Sequence, residues 1–202
     1  IIAEIGSNHN GDMRLCKEMI DSAKQCGADA IKLQSWTKGS LVSKAEYARN
    51  TDYTNVDHHF GTLEEMVEKY QLTPEMHKEI ADYCDDVDIT FLSSVFSADE
   101  VELIVELGLP AFKIASMDLN NLPLLASVGK AGLPVFLSTG MGTLGEIEAA
   151  LSTLQENGSG PVSIMHCIVL YPQLDSDMNL NNMATLEKPL DVPIGFSAHT
   201  LG

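Results

Sequence analysis

Short apolar runs of β type alternate again and again with longer stretches of helical period, and this rhythm constrains the fold more than any other feature of the chain. The β-like runs are residues 1–6, 30–34, 89–93, 111–116, 135–139, 162–167 and 194–199, and the helical patterns between them include residues 12–26, 74–84, 98–107, 122–130 and 144–154. In the first helix Leu15, Met19, Ile20 and Ala23 share a face, Asp12 stands at the N-cap position and Gly27 at the C-terminal stop. Strand, helix, strand in this order requires parallel strands joined by helical crossovers, so the class is α/β. A (β/α)8 TIM barrel takes roughly 30 residues per unit, and a chain of 202 residues holds about seven such units. The first β-to-α turn, Gly6 to Gly11, lacks the GxGxxG spacing of a dinucleotide-binding open sheet. The expected architecture is therefore one barrel domain over residues 1–202, lacking its eighth unit.

Composition narrows the partners. A net charge of −17 repels nucleic acid and anionic membranes, so an anionic substrate needs a local cationic pocket. The four cysteines, Cys16, Cys26, Cys84 and Cys167, show no CxxC pair, which fits a reducing cytoplasm better than a disulfide scaffold. No apolar run approaches the ~18 residues of a membrane span. The chain opens at Ile1 rather than Met. Two connections break the rhythm: residues 37–61, which hold Tyr47, Tyr53, His58 and His59, and residues 171–182. Loops of that length act as lids or are disordered.

Polar side chains stand where strands should be apolar. In Ala30-Ile31-Lys32-Leu33-Gln34, period-two alternation turns Ile31 and Leu33 to the helices and Lys32 and Gln34 to the barrel interior. The same parity sends Glu4, Lys113 and His166 inward, with Ser197 and His199 at the end of the last strand. Burying such a set is costly unless it is paired or meets a ligand, which points to a site at the C-terminal mouth. Plainer readings compete: Glu4 with Lys32 as a structural ion pair, Lys113 as a strut, and His166 as a hydrogen-bonded core histidine. Ser93, Ser94, Ser116, Ser138 and Thr139 end strands and serve either as helix caps or as a phosphate or polyol cradle. Asn8-His9-Asn10-Gly11 reads equally as a turn with an N-cap or as substrate contacts.

Six ordered motifs then carry a resemblance: Ala3-Glu4-Ile5-Gly6 with Asn8-His9-Asn10-Gly11; Gly27-Ala28-Asp29-Ala30 with Lys32 and Gln34; Phe112-Lys113-Ile114-Ala115-Ser116; Leu137-Ser138-Thr139-Gly140-Met141; His166-Cys167 with Tyr171-Pro172; and Gly195-Phe196-Ser197 with His199-Thr200. Together they cover essentially the whole chain. The sequence resembles the N-acetylneuraminate (sialic acid) synthase family, with its pseudaminic and legionaminic acid synthases and spore-coat polysaccharide homologues.

The resemblance implies a (β/α)8 barrel that condenses phosphoenolpyruvate with an open-chain N-acetyl-hexosamine aldehyde, typically N-acetylmannosamine, to a nine-carbon 2-keto-3-deoxy acid and phosphate. It implies a divalent metal, usually Mn2+, with His199 as one ligand. Lys32 and Lys113 would bind the carboxylate and phosphate of phosphoenolpyruvate, assisted by Ser94, Ser116 and Ser138. Glu4 would orient the attacking water, and Gln34, His166, Tyr171 and Ser197 would contact substrate. Departures from the family pattern are Ser93-Ser94-Val95-Phe96 for Ser-Thr-Pro-Phe, Ala198 for Asp, and the apolar Ile168-Val169-Leu170 before the Tyr-Pro pair. The family's second metal-binding histidine lies on the eighth strand, and its C-terminal antifreeze-like domain caps the partner's site in a homodimer; neither is in this sequence, which is expected to be a piece of a longer protein or a truncated product. Two other functions compete with the synthase: a Schiff-base pyruvate aldolase using an inward lysine, and a barrel that binds sugar or anion without turnover.

Overall fold

A computed structural model of the chain describes residues 1–49 and 61–200. They divide into two compact units, Ile1–Leu109 and Pro110–Gly202. In the first, β1 (Ile2–Gly6), β2 (Ala30–Gln34) and β3 (Thr90–Ser94) pair in chain order, all parallel. Helices α1 (Met13–Gln25), α2 (Lys44–Tyr47), α3 (Leu63–Tyr70), α4 (Pro74–Asp86) and α5 (Ala98–Glu106) complete it. In the second, β4 (Phe112–Ile114), β5 (Val135–Ser138), β6 (Val162–Cys167) and β7 (Ile194–Ser197) also pair in chain order and parallel. Its helices are α6 (Leu122–Lys130), α7 (Leu144–Glu156) and α8 (Asn181–Leu190). Within each unit, helical crossovers thus return the chain from one strand to the next parallel strand, as the alternation predicts.

Helix α1 forms where its pattern places it. The Asp12 side chain accepts from Arg14 N and Leu15 N, Cys16 and Ile20 are buried, and Gly27 takes the left-handed φ of 81° just beyond the C-cap. The first unit packs Ile20, Ile31, Leu33, Ile80 and Ile104 out of solvent, and the second Phe112, Ile114, Leu125, Leu137, Leu154 and Ile164. Each such side chain contributes about 1.5–3 kcal/mol by leaving water. No helix among the described residues is long and apolar enough to cross a membrane.

Three helices depart from the sequence expectation. The 37–61 connection contains α2, capped by Ser43, while Tyr53, His58 and His59 lie outside the described residues. Thr62 and Glu65 form a reciprocal capping box that starts α3, a signal legible in the sequence as Thr-x-x-Glu. Helix α8 begins within the 171–182 connection; it has no side-chain N-cap and carries Pro189 inside, so it shows neither of the usual boundary signals.

Candidate active site

In the first unit the register of β1 on β2 sets Glu4 beside Lys32, and the two form an ion pair. Lys32 Nζ also donates to Ser94 Oγ at 3.0 Å, on β3. Gln34 joins them. The indole N–H of Trp36 can only donate, and it meets Gln34 Oε1 at 2.9 Å, so the amide is oriented with Nε2 donating to Glu4 Oε1 at 3.2 Å. Lys32 is buried while the Glu4 side chain keeps 42% of its exposure, so a ligand or water can reach the carboxylate but the ammonium is held from behind. Gly6 makes room for this group: with φ +56°, a Cβ there would stand 3.2 Å from Glu4 Oε1 and 3.6 Å from Gln34 Nε2. Only glycine adopts that backbone at no steric cost.

The first loop resolves toward its structural reading. His9 is buried and its Nδ1 accepts from Gly11 N at 3.0 Å, closing a turn in which Asn10 has φ 53°. Burial first, and the neighbouring His77 second, lower its pKa from 6.5.

In the second unit Lys113 Nζ donates to Ser138 Oγ at 2.6 Å on the next strand and to the Ile114 carbonyl at 2.7 Å. The arrangement repeats that of Lys32 and Ser94: a buried lysine within one strand, a buried serine at the end of the next. Ser116 Oγ accepts from Gly140 N at 2.9 Å. A Cβ at Gly140 would strike Val169 at 2.4 Å and Ser116 Oγ at 2.9 Å, so the close approach of these two loops requires glycine.

His166 is buried, donates from Nε2 to the Met178 carbonyl at 2.8 Å, and stacks on Phe196 with ring centroids 5.8 Å apart. Those partners fit the core-histidine reading and tie β6 to the 171–182 connection. Tyr171 and His199 meet as tilted rings 4.2 Å apart, and the His199 carbonyl accepts from Gln173 N at 3.0 Å. Ser197 ends β7, opposite Cys167.

His199 Nδ1 lies 2.9 Å from the Ile168 carbonyl, which can only accept; Nδ1 therefore donates, and Nε2 is the ring nitrogen this bond leaves over. A backbone carbonyl behind one nitrogen is the usual way a metal-binding imidazole is oriented. Among the described residues, however, no group of three or more His, Cys, Asp or Glu side chains assembles to hold a metal.

Sequence reasoning missed two buried polar groups near these residues. Asp118, two residues beyond Ser116, accepts from Asn121 Nδ2 at 3.0 Å through Oδ1, while Oδ2 finds no hydrogen-bond partner among the described residues. Burial raises its pKa above 3.8, with the Asn121 bond opposing. Gln173 is buried, and neither end of its carboxamide meets a hydrogen-bond partner among the described residues. Asp118 ends a single 3-10 turn, Ser116–Asp118, and Gln173 lies in a loop, so neither falls in a strand or helix pattern that marks it as buried.

The model of the NeuB family matches residues 19–202. The chain belongs to the NeuB family. Among NeuB relatives, it is 41% identical to an uncharacterised protein of Methanocaldococcus jannaschii, 38% to the N,N'-diacetyllegionaminic acid synthase of Campylobacter jejuni and 35% to the human N-acetylneuraminate-9-phosphate synthase, over all of its own length in each case. It spans between 56 and 61% of the length of these relatives. The crystal structure of N-acetylneuraminic acid synthetase from Leptospira borgpetersenii superposes with a TM-score of 0.84 at 30% identity, covering 100% of this chain and 65% of that one. The fold class of this NeuB chain is accordingly the (β/α)8 barrel, incomplete, with seven strands among the described residues.

Proposed function

We propose that the protein is a sialic-acid-type synthase that condenses phosphoenolpyruvate with an N-acetyl-hexosamine aldehyde, N-acetylmannosamine or a relative. The observation that carries this is the repeated device of a buried lysine held by a buried serine hydroxyl, Lys32 with Ser94 and Lys113 with Ser138. In a chain of net charge −17, preorganised ammonium groups are what a trianionic substrate needs. The names of the synthases among its relatives support the reaction class.

In this reaction the methylene carbon of phosphoenolpyruvate forms a bond to the aldehyde carbon, and the aldehyde oxygen takes up a proton. Water then adds at the electron-deficient C2, losing a proton, and the resulting phosphohemiketal expels phosphate to leave the 2-keto acid. Lys32 and Lys113 bind the carboxylate and phosphate, with Ser94, Ser116 and Ser138 as further contacts. Glu4, reachable by solvent and oriented by Gln34 and Lys32, takes the proton of the attacking water. Tyr171, Ser197, Gln34 and His166 are the residues assigned to the acceptor sugar. A divalent metal, Mn2+ in our proposal, would polarise the aldehyde oxygen, and His199 Nε2 would be one of its ligands. The complete enzyme acts in the cytoplasm as a homodimer.

The test is phosphate release when phosphoenolpyruvate is mixed with a panel of N-acetylated hexoses, with and without chelator. Release that depends on both the sugar and the metal is expected. Chelator-insensitive turnover rejects the metal, and a pyruvate adduct trapped on Lys32 or Lys113 by borohydride replaces the condensation with Schiff-base chemistry.

A further inference from the structure

Behind the first lysine, the loop that follows β2 and the end of β3 carry a second polar group that the proposed chemistry does not use. Ser35, Ser93 and His77 are each at most 1% exposed. Ser35 Oγ lies 2.8 Å from His77 Nε2 and 2.6 Å from Ser93 Oγ, and His77 Nδ1 lies 2.9 Å from the Thr73 carbonyl at the start of α4. The carbonyl can only accept, so Nδ1 holds the proton. Burial keeps the ring neutral, its pKa lowered from 6.5 with only the Thr73 bond opposing, and Nε2 accepts the Ser35 hydroxyl. The Ser35 oxygen in turn accepts from Ser93. A single proton order therefore satisfies every member, running from Ser93 through Ser35 to His77 and the backbone.

A Ser–His pair invites comparison with a nucleophile and its base. Here the serine is sealed, and a peptide carbonyl stands where an orienting carboxylate would stabilise an imidazolium, so the pair is not built for attack. Its position suggests another use. Strand alternation sends Ser35 and Leu33 to the face opposite Lys32 and Gln34, and Ser93 to the face opposite Ser94. Ser35 N also donates to the Ser94 carbonyl at 2.9 Å, extending the register of Leu33 on Ser93 and Gln34 on Ser94. Whatever fixes Ser35 and Ser93 from the helix side fixes Gln34, Ser94 and Lys32 on the other.

We propose that His77 is a positioning residue. Anchored at the first turn of α4, it grips the ends of β2 and β3 through Ser35 and Ser93 and so holds Ser94 Oγ at 3.0 Å from Lys32 Nζ. The proposal rests on Lys32 and Ser94 being contacts for phosphoenolpyruvate.

Calorimetric titration of phosphoenolpyruvate into the wild type, His77→Leu, His77→Gln and Ser93→Ala tests it. Leucine fills the space of the ring but cannot accept from Ser35, whereas glutamine restores an acceptor. His77→Leu and Ser93→Ala are expected to weaken binding about tenfold at unchanged stoichiometry, the effect of one buried hydrogen bond left unmade, and His77→Gln to recover most of it. A purely structural histidine would lower the melting temperature and the binding stoichiometry but leave the Kd of the folded fraction at its wild-type value in all three variants; that result overturns the positioning role alone. Should His77→Leu fail to fold, Ser93→Ala, which removes one hydroxyl, decides the question by its Kd. Wild-type protein that does not bind phosphoenolpyruvate overturns the substrate assignment, and the positioning role with it.

Discussion

Lys113 Nζ donates to Ser138 Oγ at 2.6 Å across the pairing of β4 with β5, and both side chains are buried. A buried ammonium held for a ligand costs stability that an apolar side chain of similar length does not. Lys113→Met is therefore expected to keep or raise the urea midpoint while phosphoenolpyruvate binding falls at least about a hundredfold. Ser138→Ala is expected to weaken binding about tenfold. Should Lys113→Met bind as the wild type does, Lys113 is a strut.

Gly6→Ala tests the space that glycine leaves for Glu4. The positive φ and the 3.2 Å approach to Glu4 Oε1 both act against a methyl group. Chemical denaturation should register a loss of about 1–2 kcal/mol. Turnover of the folded protein should fall as well, because Glu4 must move. A loss of stability with unaltered turnover would take Glu4 out of the chemistry.

His9 and His77 both have pKa values lowered from 6.5 by burial, so between the folded values and 6.5 the unfolded chain binds more protons than the folded one. Stability rises with pH through that window. Its full contribution is present above 6.5 and is lost as pH falls below it. Denaturation midpoints measured from pH 7.5 down to 5 should decline, and His77→Gln should flatten the slope. A midpoint independent of pH over this range would mean that neither ring is held neutral.

For Asp118 the sign is opposite. Its folded pKa is raised from 3.8, so the folded state holds the proton more tightly, and the stability this contributes is complete below 3.8 and lost as pH rises through the folded value. At neutral pH the buried charge is a liability, and no partner among the described residues offsets it at Oδ2. Asp118→Asn is expected to raise the unfolding free energy at pH 7 by about 1 kcal/mol. A lower turnover in the same variant would assign the carboxylate to the site; unchanged turnover with raised stability would make it only strained.

Much of this was legible before any coordinates. Helix α1 could be drawn from Asp12, its apolar face and Gly27 because caps and periodicity are local properties of the backbone. The inward lysines could be named because alternation along a strand has a period of two. Helix α3 carries a legible start in Thr62 and Glu65, whereas α8 offers no boundary signal and Pro189 speaks against it. His166, set inward by parity, proved to bind a carbonyl of its own connection, a partner that no pattern in β6 announces.

By itself, then, the sequence determined the β/α alternation, the parity that sorts Lys32 from Leu33, and the family, since all three depend on the order of residues. What only the tertiary structure decided is which groups meet. The pairing of Lys32 with Glu4 and Ser94, the burial that raises Asp118, and the contact of His77 with Ser35, 42 positions away in the chain, depend on strand register and helix packing. Hydrogen bonds and desolvation act over a few ångströms, and that distance is set by the folded chain rather than by its order.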